Sequence, residues 1–276
     1  MRAALIQMCS SDDPADNLSV AAAMIAEAAA QGADFVATPE VTNCVSASRS
    51  HQDTVLSYQG DDPVLKGLRA AAVQHKIWLS IGSLAIKRHE GARFANRSFL
   101  INPKGEIVAQ YDKIHMFDVD VSATETFRES AGFRPGGKAV VAQTPLANFG
   151  LTICYDVRFG YLHRALAQAG AQVLLVPAAF SPVTGVAHWQ VLLQARAIET
   201  GCFVIAAAQT GDHKISRGGP RLTYGHSMVI SPWGEVLADA GTKPGVTLID
   251  LDLSEVAKAR GRIPALTHDR AFTGPD

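Results

Sequence analysis

The chain has 276 residues, of which 47% are hydrophobic and 18% are charged. A charged share below the roughly 25% usual for soluble domains favours a large interior, or a surface partly buried in an oligomer. The formal net charge of −1 argues against nucleic acid or an anionic membrane as a partner. Gly, Pro or charge interrupts every apolar run before the roughly 20 residues of a membrane span.

The first half of the chain alternates short apolar strands with amphipathic helices. Helices are predicted where apolar residues recur at helical spacing, at 16–31 and 63–75. Strands are predicted for the short apolar runs at 5–8, 34–37, 77–86, 93–101 and 106–111. The link at 102–105, Asn-Pro-Lys-Gly, has the composition of a hairpin turn.

The segment 114–138 lacks clear periodicity and indicates loops with a short helix, after which the alternation resumes. Strands are predicted at 150–153, 173–176, 202–208, 226–231, 235–238 and 247–251. Helices are predicted at 159–169, at 187–200 and from Ser254, with Ser254 as its N-cap.

Helix–strand alternation combined with hairpin links predicts an α/β fold with mixed sheets rather than a purely parallel one. No low-complexity linker and no shift in composition divides the chain. We therefore expect one domain over residues 1–276.

The four cysteines, Cys9, Cys44, Cys154 and Cys202, are widely spaced and form no Cys-x-x-Cys pair. The nine histidines are scattered, so neither a disulfide framework nor a metal site is expected. No Gly-x-Gly-x-x-Gly or Walker loop follows a strand, which argues against a nucleotide cofactor. Because no secretion signal is evident at the N-terminus, the sequence predicts a reduced, cytoplasmic enzyme without metal or cofactor.

Glu40, Lys113 and Cys154 each follow an apolar strand, which is where α/β sheets place their ligand sites. Taken singly, each has an ordinary explanation as a buried core thiol, a loop acid or one half of a surface ion pair. Their joint chemistry is more specific. A thiol nucleophile needs a base and a group that stabilises the tetrahedral oxyanion.

A carboxylate screened from water has a raised pKa and can act as the base near neutral pH. A neighbouring ammonium favours the thiolate and can stabilise the oxyanion. The backbone N–H of Tyr155 is a candidate second oxyanion donor if a helix starts there. Glu40, Lys113 and Cys154 are therefore a sufficient catalytic set, with no histidine required.

Three segments resemble the motifs of the nitrilase, or carbon–nitrogen hydrolase, superfamily. Residues 36–40 read Val-Ala-Thr-Pro-Glu, and residues 110–117 read Gln-Tyr-Asp-Lys-Ile-His-Met-Phe. Residues 150–159 read Gly-Leu-Thr-Ile-Cys-Tyr-Asp-Val-Arg-Phe. The resemblance implies a four-layer α-β-β-α sandwich with two mixed sheets, built from two pseudo-symmetric halves. It also implies a second active-site glutamate between lysine and cysteine, which we assign to Glu129, with Glu125 as the competing choice.

Further segments are similar to the Nit branch of this family, notably 118–121, 187–189, 195–200 and 224–229. That branch contains deaminated-glutathione amidases and ω-amidases acting on α-ketoglutaramate. The resemblance implies an amidase that forms a thioester, with deaminated glutathione as the expected substrate. An ω-amidase is the alternative, and a nitrilase a less favoured one. Family members typically dimerise, so a homodimer or a higher homo-oligomer is expected.

Two features depart from the family pattern. Arg158 and Phe159 are followed by Gly160 and Tyr161, where the family usually has Pro-Glu. The loop 211–221 is longer than expected and carries three cations, Lys214, Arg217 and Arg221, against the single anion Asp212, a balance of +2. This loop is either a carboxylate-binding lid, in which Arg217 and Arg221 bind substrate, or an ordinary solvated loop.

Overall fold

The protein is described by a computed structural model covering residues 1–89, 92–121 and 125–275. Its helices in chain order are α1 (Pro14–Ala30), α2 (Arg49–Val55), α3 (Pro63–His75), α4 (Glu129–Gly132), α5 (Gly160–Gln168), α6 (Pro182–Thr200) and α7 (Ser254–Arg262). Among the described residues, no helix is both long and apolar enough to cross a membrane.

Most strands belong to two six-stranded sheets. The strands before residue 114 are β1 (Arg2–Gln7), β2 (Phe35–Ala37), β3 (Trp78–Ile86), β4 (Ala95–Ile101) and β5 (Ile107–Asp112). The later strands are β6 (Asp118–Asp120), β7 (Thr126–Arg128), β8 (Val140–Gln143), β9 (Asn148–Leu151), β10 (Val173–Leu175), β11 (Phe203–Ala206), β12 (Thr210–Asp212), β13 (Leu222–Tyr224), β14 (Met228–Ile230), β15 (Val236–Asp239) and β16 (Gly245–Asp250).

Both large sheets are mixed, as the sequence predicts. The first has the order β16-β1-β2-β3-β4-β5 and the second the order β15-β14-β11-β10-β9-β8. In each sheet three neighbouring strands are parallel, β1-β2-β3 in the first and β9-β10-β11 in the second. The other neighbours in both sheets are antiparallel.

The alternation of side chains along β1 explains how the layers stack. Ala3 and Leu5 belong to a core shared by both sheets, whereas Ala4 and Ile6 pack with α1 and α3 on the opposite face. Between the sheets, the rings of Phe35 and Phe149 stack with their centroids 4.7 Å apart. Since α5 and α6 cover the second sheet through residues of the shared core, the four-layer α-β-β-α sandwich is confirmed.

The elements differ from the sequence predictions where local signals are weak. The segment 114–138 contains the hairpin β6–β7 as well as the short helix α4, while its residues 122–124 lie outside the described residues. Helix α6 begins at Pro182 rather than at 187. The prediction that Ser254 caps α7 is wrong: Ser254 is its first residue, and its backbone N–H donates to Asp252 Oδ1 at 3.0 Å.

His163 is a fully buried, uncharged residue of α5. Its Nδ1 donates to the carbonyl of Phe159 at 3.1 Å, and its Nε2 has no hydrogen-bond partner among the described residues. Burial lowers the pKa of His163 from 6.5 to about 4. Protonation of this imidazole therefore opposes folding.

This pKa shift predicts a specific pH dependence of stability. Because the folded pKa lies below the unfolded value, the unfolded chain binds more protons between pH 6.5 and about pH 4. The free energy of unfolding should fall as pH falls through that window, by about 3 kcal/mol from this residue alone. Between about pH 7 and pH 4.5, the free energy of unfolding measured in urea should fall less for His163→Leu than for wild type. Equal losses in both proteins would contradict the assignment.

Candidate active site

Glu40, Lys113 and Cys154 meet where the ends of the two sheets come together. They follow β2, β5 and β9, so they come from both sheets rather than from the edge of one. Lys113 Nζ lies 2.9 Å from Glu40 Oε1, and the Cys154 thiol lies beside the same carboxylate, within range of its charge. The three residues are 4%, 2% and 8% exposed, so their charges interact in a nearly dry environment.

The backbone at Cys154 is strained in a way that fits a nucleophile. Its φ is +49°, in the left-handed region that a non-glycine residue rarely adopts. The N–H of Cys154 donates to the carbonyl of Pro177 at 2.8 Å, and a short 3₁₀ helix, Cys154–Arg158, begins at this residue. Tyr155 thus lies in the first turn of a helix, where backbone N–H groups have no partner within the helix.

The position of Glu40 depends on close contacts around its segment. A Cβ at Gly82 in β3 would lie 2.1 Å from the carbonyl oxygen of Thr38, so glycine permits this approach. The N–H of Ala179 donates to Glu40 Oε2 at 2.8 Å, and Gln209 Nε2 donates to the Glu40 carbonyl at 3.0 Å. Glu40 is therefore held both at its carboxylate and at its backbone carbonyl.

The ammonium of Lys113 is shared between two carboxylates. Besides Glu40, it contacts both carboxylate oxygens of Glu129 at 2.9 Å. Glu129 Oε2 also accepts from the N–H of Phe117 at 2.7 Å. Glu125, the competing choice, accepts a hydrogen bond from Ser181 Oγ at 3.1 Å. The structure thus brings Glu129 to the Lys113 ammonium.

Asn96 is a site residue that the sequence reasoning missed. Its Nδ2 lies 2.9 Å from Glu40 Oε1 and 3.3 Å from Glu129 Oε1, so one amide donates to both carboxylates. The available signal was an asparagine as the second residue of the mostly buried strand β4, a residue type that strands disfavour. Asn96 lets two carboxylates approach each other without adding a second buried cation.

The pKa values point to a resting state with a neutral thiol. Burial would raise the pKa of Glu40, but Lys113 and the hydrogen bonds from Cys154 and Asn96 outweigh it and hold that pKa below its usual value. The expectation of a raised carboxyl pKa is therefore wrong in direction. Burial and the charge of Glu40 raise the pKa of Cys154. Against the effect of burial, Glu129 and Glu40 raise the pKa of Lys113. Glu40 can thus accept the thiol proton only as the sulfur attacks.

A cavity of about 420 Å³ opens onto these residues. Aromatic side chains form much of its wall: Phe117, Phe127, Phe133, Tyr155 and Phe180. Arg221 also lines the cavity. Its Nη2 donates to the Ala179 carbonyl at 3.0 Å, and its guanidinium carbon lies 4.8 Å from the centroid of the Phe127 ring. Burial lowers the pKa of Arg221, which nevertheless stays charged near neutral pH.

The structure places the two arginines of the loop 211–221 differently. Asp12 Oδ2 accepts from the N–H and the Oγ of Ser216, both at 2.7 Å, which fixes the middle of the loop. Arg217, the next residue, is exposed and lies outside the lining of the cavity, whereas Arg221 contributes to it. Only one of the two predicted substrate-binding arginines is therefore in contact with this space.

Within the described ranges, no group of three or more His, Cys, Asp or Glu side chains is placed to hold a metal ion. The hydrogen bonds among Glu40, Asn96, Lys113 and Glu129 already occupy the polar end of the cavity. Buried thiol, carboxylate and ammonium groups in contact form an arrangement suited to nucleophilic acyl transfer.

Comparison with known proteins agrees with this chemistry. Residues 2–261 match the family described as carbon-nitrogen hydrolase. The chain is 40% identical over 271 residues to the deaminated glutathione amidase of Synechocystis sp. (strain PCC 6803 / GT-S), covering 96% of this chain and 97% of that protein. It is 37% identical over 270 residues to the omega-amidase NIT2 of Homo sapiens, covering 98% and 95%.

A solved structure adds chemical detail. It is a glutamate-to-glutamine variant of the amidase from Nesterenkonia sp. AN1, showing the result of Michael addition of acrylamide at the active-site cysteine. The TM-score is 0.78 at 30% identity, covering 96% of this chain and 98% of that chain. The present chain therefore belongs to the carbon–nitrogen hydrolase family, the nitrilase superfamily. It is a cysteine-dependent amidase of the Nit branch.

The departure from the family pattern after Phe159 has a steric explanation. A Cβ at Gly160 would lie 2.4 Å from Nη1 of Arg196 on α6. Arg196 Nε donates to the carbonyl of Val157 at 2.8 Å, and its Nη1 pairs with Glu199, three residues further along α6. Glycine at position 160 therefore makes room for an arginine that binds the end of the 3₁₀ turn beginning at Cys154.

Proposed function

We propose that Cys154 is the nucleophile, Glu40 the general base and Lys113 the stabiliser of the oxyanion. The carrying observation is that Lys113 and the Cys154 thiol both lie beside Glu40 in one buried cluster, with Lys113 Nζ 2.9 Å from Glu40 Oε1. The sulfur attacks the amide carbonyl carbon while the thiol proton moves to Glu40. The carbonyl oxygen becomes an oxyanion, stabilised by the Lys113 ammonium and the Tyr155 N–H.

Collapse of this intermediate completes the first half-reaction. Glu40 donates its proton to the amide nitrogen, the C–N bond breaks, and a thioester remains on Cys154. In the second half, Glu40 takes a proton from water as the oxygen attacks the thioester. That proton passes to the sulfur as the C–S bond breaks and the carboxylic acid leaves. Glu129 holds the Lys113 ammonium in place throughout.

We propose a carboxylate-bearing amide, deaminated glutathione, as the substrate. Its support is the cationic Arg221 in the wall of the cavity, together with the similarity to deaminated glutathione amidases. The similarity to an omega-amidase favours α-ketoglutaramate as the second candidate. Rates of amide cleavage across deaminated glutathione, α-ketoglutaramate, simple ω-amides and nitriles test this. A higher kcat/KM for a nitrile than for any amide would exclude the substrate proposal.

Arg221→Met should mainly raise the KM for deaminated glutathione. Methionine preserves much of the side-chain length but removes the charge. A hydrogen bond to a charged group is worth about 1.5–3 kcal/mol, which corresponds to a rise of roughly 10- to 100-fold. The rise should appear in KM, because carboxylate binding is shared by the ground and transition states. Steady-state kinetics of the folded variant measures it.

A neutral substrate and an Arg217 variant serve as controls for carboxylate binding by Arg221. The kcat/KM for a simple neutral amide should change less than about threefold in Arg221→Met, since that substrate has no carboxylate to lose. Arg217→Ala should leave the KM for deaminated glutathione nearly unchanged, because Arg217 lies outside the cavity lining. A larger effect at Arg217 than at Arg221 would mean that the loop adopts another arrangement when substrate binds.

We also propose that the chain acts in the cytoplasm as a homo-oligomer. All four cysteines are free, in keeping with a reducing compartment. Helix α6 exposes an apolar stripe formed by Val183, Val186, Val191 and Ile198. An exposed apolar patch of this kind favours an interface. Light scattering should give a mass above the 29.3 kDa of one chain.

A further inference from the structure

Asp156 lies two residues beyond Cys154 and is completely buried, with 0% of its surface exposed. Its side chain contacts residues on both sides of Lys113 and one residue adjacent to Cys154. We propose that Asp156 is a positioning residue, which locks the lysine segment and the cysteine turn in register so that Lys113 and Cys154 face the same carbonyl. This proposal rests on the roles proposed above for those two residues.

Four donors converge on this one carboxylate. Oδ2 accepts from Tyr111 Oη at 2.7 Å and from the N–H of Ile153 at 2.9 Å. Oδ1 accepts from the N–H of His115 at 3.1 Å and from His115 Nδ1 at 2.6 Å. An ionised carboxylate has about four acceptor positions, so its capacity is filled.

These donors lie close to Lys113 and Cys154 in the sequence. Tyr111 and His115 stand two residues before and two residues after Lys113, while Ile153 directly precedes Cys154. Asp156 therefore connects the residues on both sides of Lys113 to the strained turn that begins at Cys154, whose φ is +49°. Strain of this kind persists only where surrounding contacts hold it in place.

Two aromatic neighbours hold the imidazole of His115 in place. The imidazole stacks on the Phe159 ring with centroids 3.5 Å apart, and its Nε2 lies 2.5 Å from Tyr161 Oη. Tyr161 occupies the position at which the chain departs from the family pattern. Burial and the charge of Asp156 raise the pKa of Tyr111, so its phenol remains a donor to the carboxylate.

Only a carboxylate satisfies all four donors. An asparagine at position 156 would have the same shape but would direct its NH₂ group toward one pair of donors. In either orientation that pair includes a backbone N–H, of Ile153 or of His115, which cannot reverse its role. Asp156→Asn should therefore loosen the attachment of the lysine segment to the cysteine turn without removing volume from the core.

In Asp156→Asn we expect kcat to fall at least 50-fold, with KM within about threefold of wild type. The rate of Cys154 alkylation by iodoacetamide, followed by peptide mass spectrometry, should fall with kcat, because it reports on the sulfur independently of the substrate. Leu68→Ala is the control, since Leu68 is a buried residue of α3 on the far face of the first sheet. It should lower stability while leaving kcat and alkylation nearly unchanged.

A second pair of variants decides the question even if Asp156→Asn does not fold. His115→Ala removes the 2.6 Å contact, whereas His115→Asn places an amide N–H donor near the position of Nδ1. We expect His115→Ala to lower kcat at least tenfold and His115→Asn to restore most of it. The proposal is overturned by near-wild-type kcat in folded Asp156→Asn, by near-wild-type kcat in His115→Ala, or by an equal loss in both His115 variants. If the catalytic assignment itself were wrong, a protein lacking the Cys154 thiol would still turn over substrate.

Discussion

Cys154→Ala should abolish amide hydrolysis while the protein remains folded. The side chain is small and buried, so removing the sulfur changes little of the packing but removes the atom that would form the thioester. Loss of a nucleophile that acts together with its base is expected to lower kcat by about 10⁴-fold or more. Steady-state kinetics, with circular dichroism and thermal unfolding to verify the fold, measures this.

Cys44 provides a matched control, because it is also buried and also lines the cavity. The Sγ of Cys44 donates to the backbone carbonyl of Asp12 at 3.6 Å, and a backbone carbonyl cannot take up the thiol proton as the carboxylate of Glu40 would. Cys44→Ala should keep kcat within about threefold of wild type. Activity in Cys154→Ala, or dependence of turnover on Cys44 instead, would reject Cys154 as nucleophile.

Glu40→Gln and Lys113→Ala should each lower kcat by at least about 10²-fold. Glutamine keeps nearly the same shape as Glu40 but cannot accept the thiol proton, and its NH₂ group would face either Lys113 and Asn96 or the N–H of Ala179, so stability should fall together with kcat. Lys113→Ala removes the oxyanion partner and leaves Glu40 and Glu129 without their shared cation. Breaking a buried ion pair can cost about 3–5 kcal/mol, so the stability of Lys113→Ala should fall as well.

A substitution at a buried carboxylate outside the site distinguishes a loss of stability from a loss of catalysis. Asp62 is 2% exposed, and its Oδ1 accepts from the N–H of Leu65 at the start of α3, 2.7 Å away. Asp62→Ala removes this N-cap and should lower the free energy of unfolding by about 1 kcal/mol with little change in kcat. If Glu40→Gln behaved like Asp62→Ala, with near-normal kcat in a folded protein, Glu40 would not be the base.

Much of the site was predictable because its residues follow apolar strands. Glu40 and Cys154 each follow a buried apolar strand and Lys113 follows a half-exposed one, so their placement follows from local pattern and the order of motifs. The mixed sheets were predictable for the same reason. The meeting of β2, β5 and β9 across two sheets was not, because sheet-to-sheet packing depends on contacts between distant parts of the chain.

Other features depend on tertiary contacts that no local pattern encodes. Asn96 lies in an apolar strand, and only the fold shows that its amide faces two carboxylates. Arg217 and Arg221 look alike in the sequence, yet the attachment of Ser216 to Asp12 separates their environments. Burial alone suggested a raised pKa for Glu40, and the opposite direction results from the donors around it.

The covalent intermediate on Cys154 gives the most direct test of the central claim. Wild-type protein turning over a substrate amide would be quenched with acid within milliseconds of mixing, digested and examined by peptide mass spectrometry. The account predicts that the mass of the acyl group is added to the peptide containing Cys154, at the sulfur. An acyl group on Cys9, Cys44 or Cys202, or on a residue other than cysteine, would contradict it.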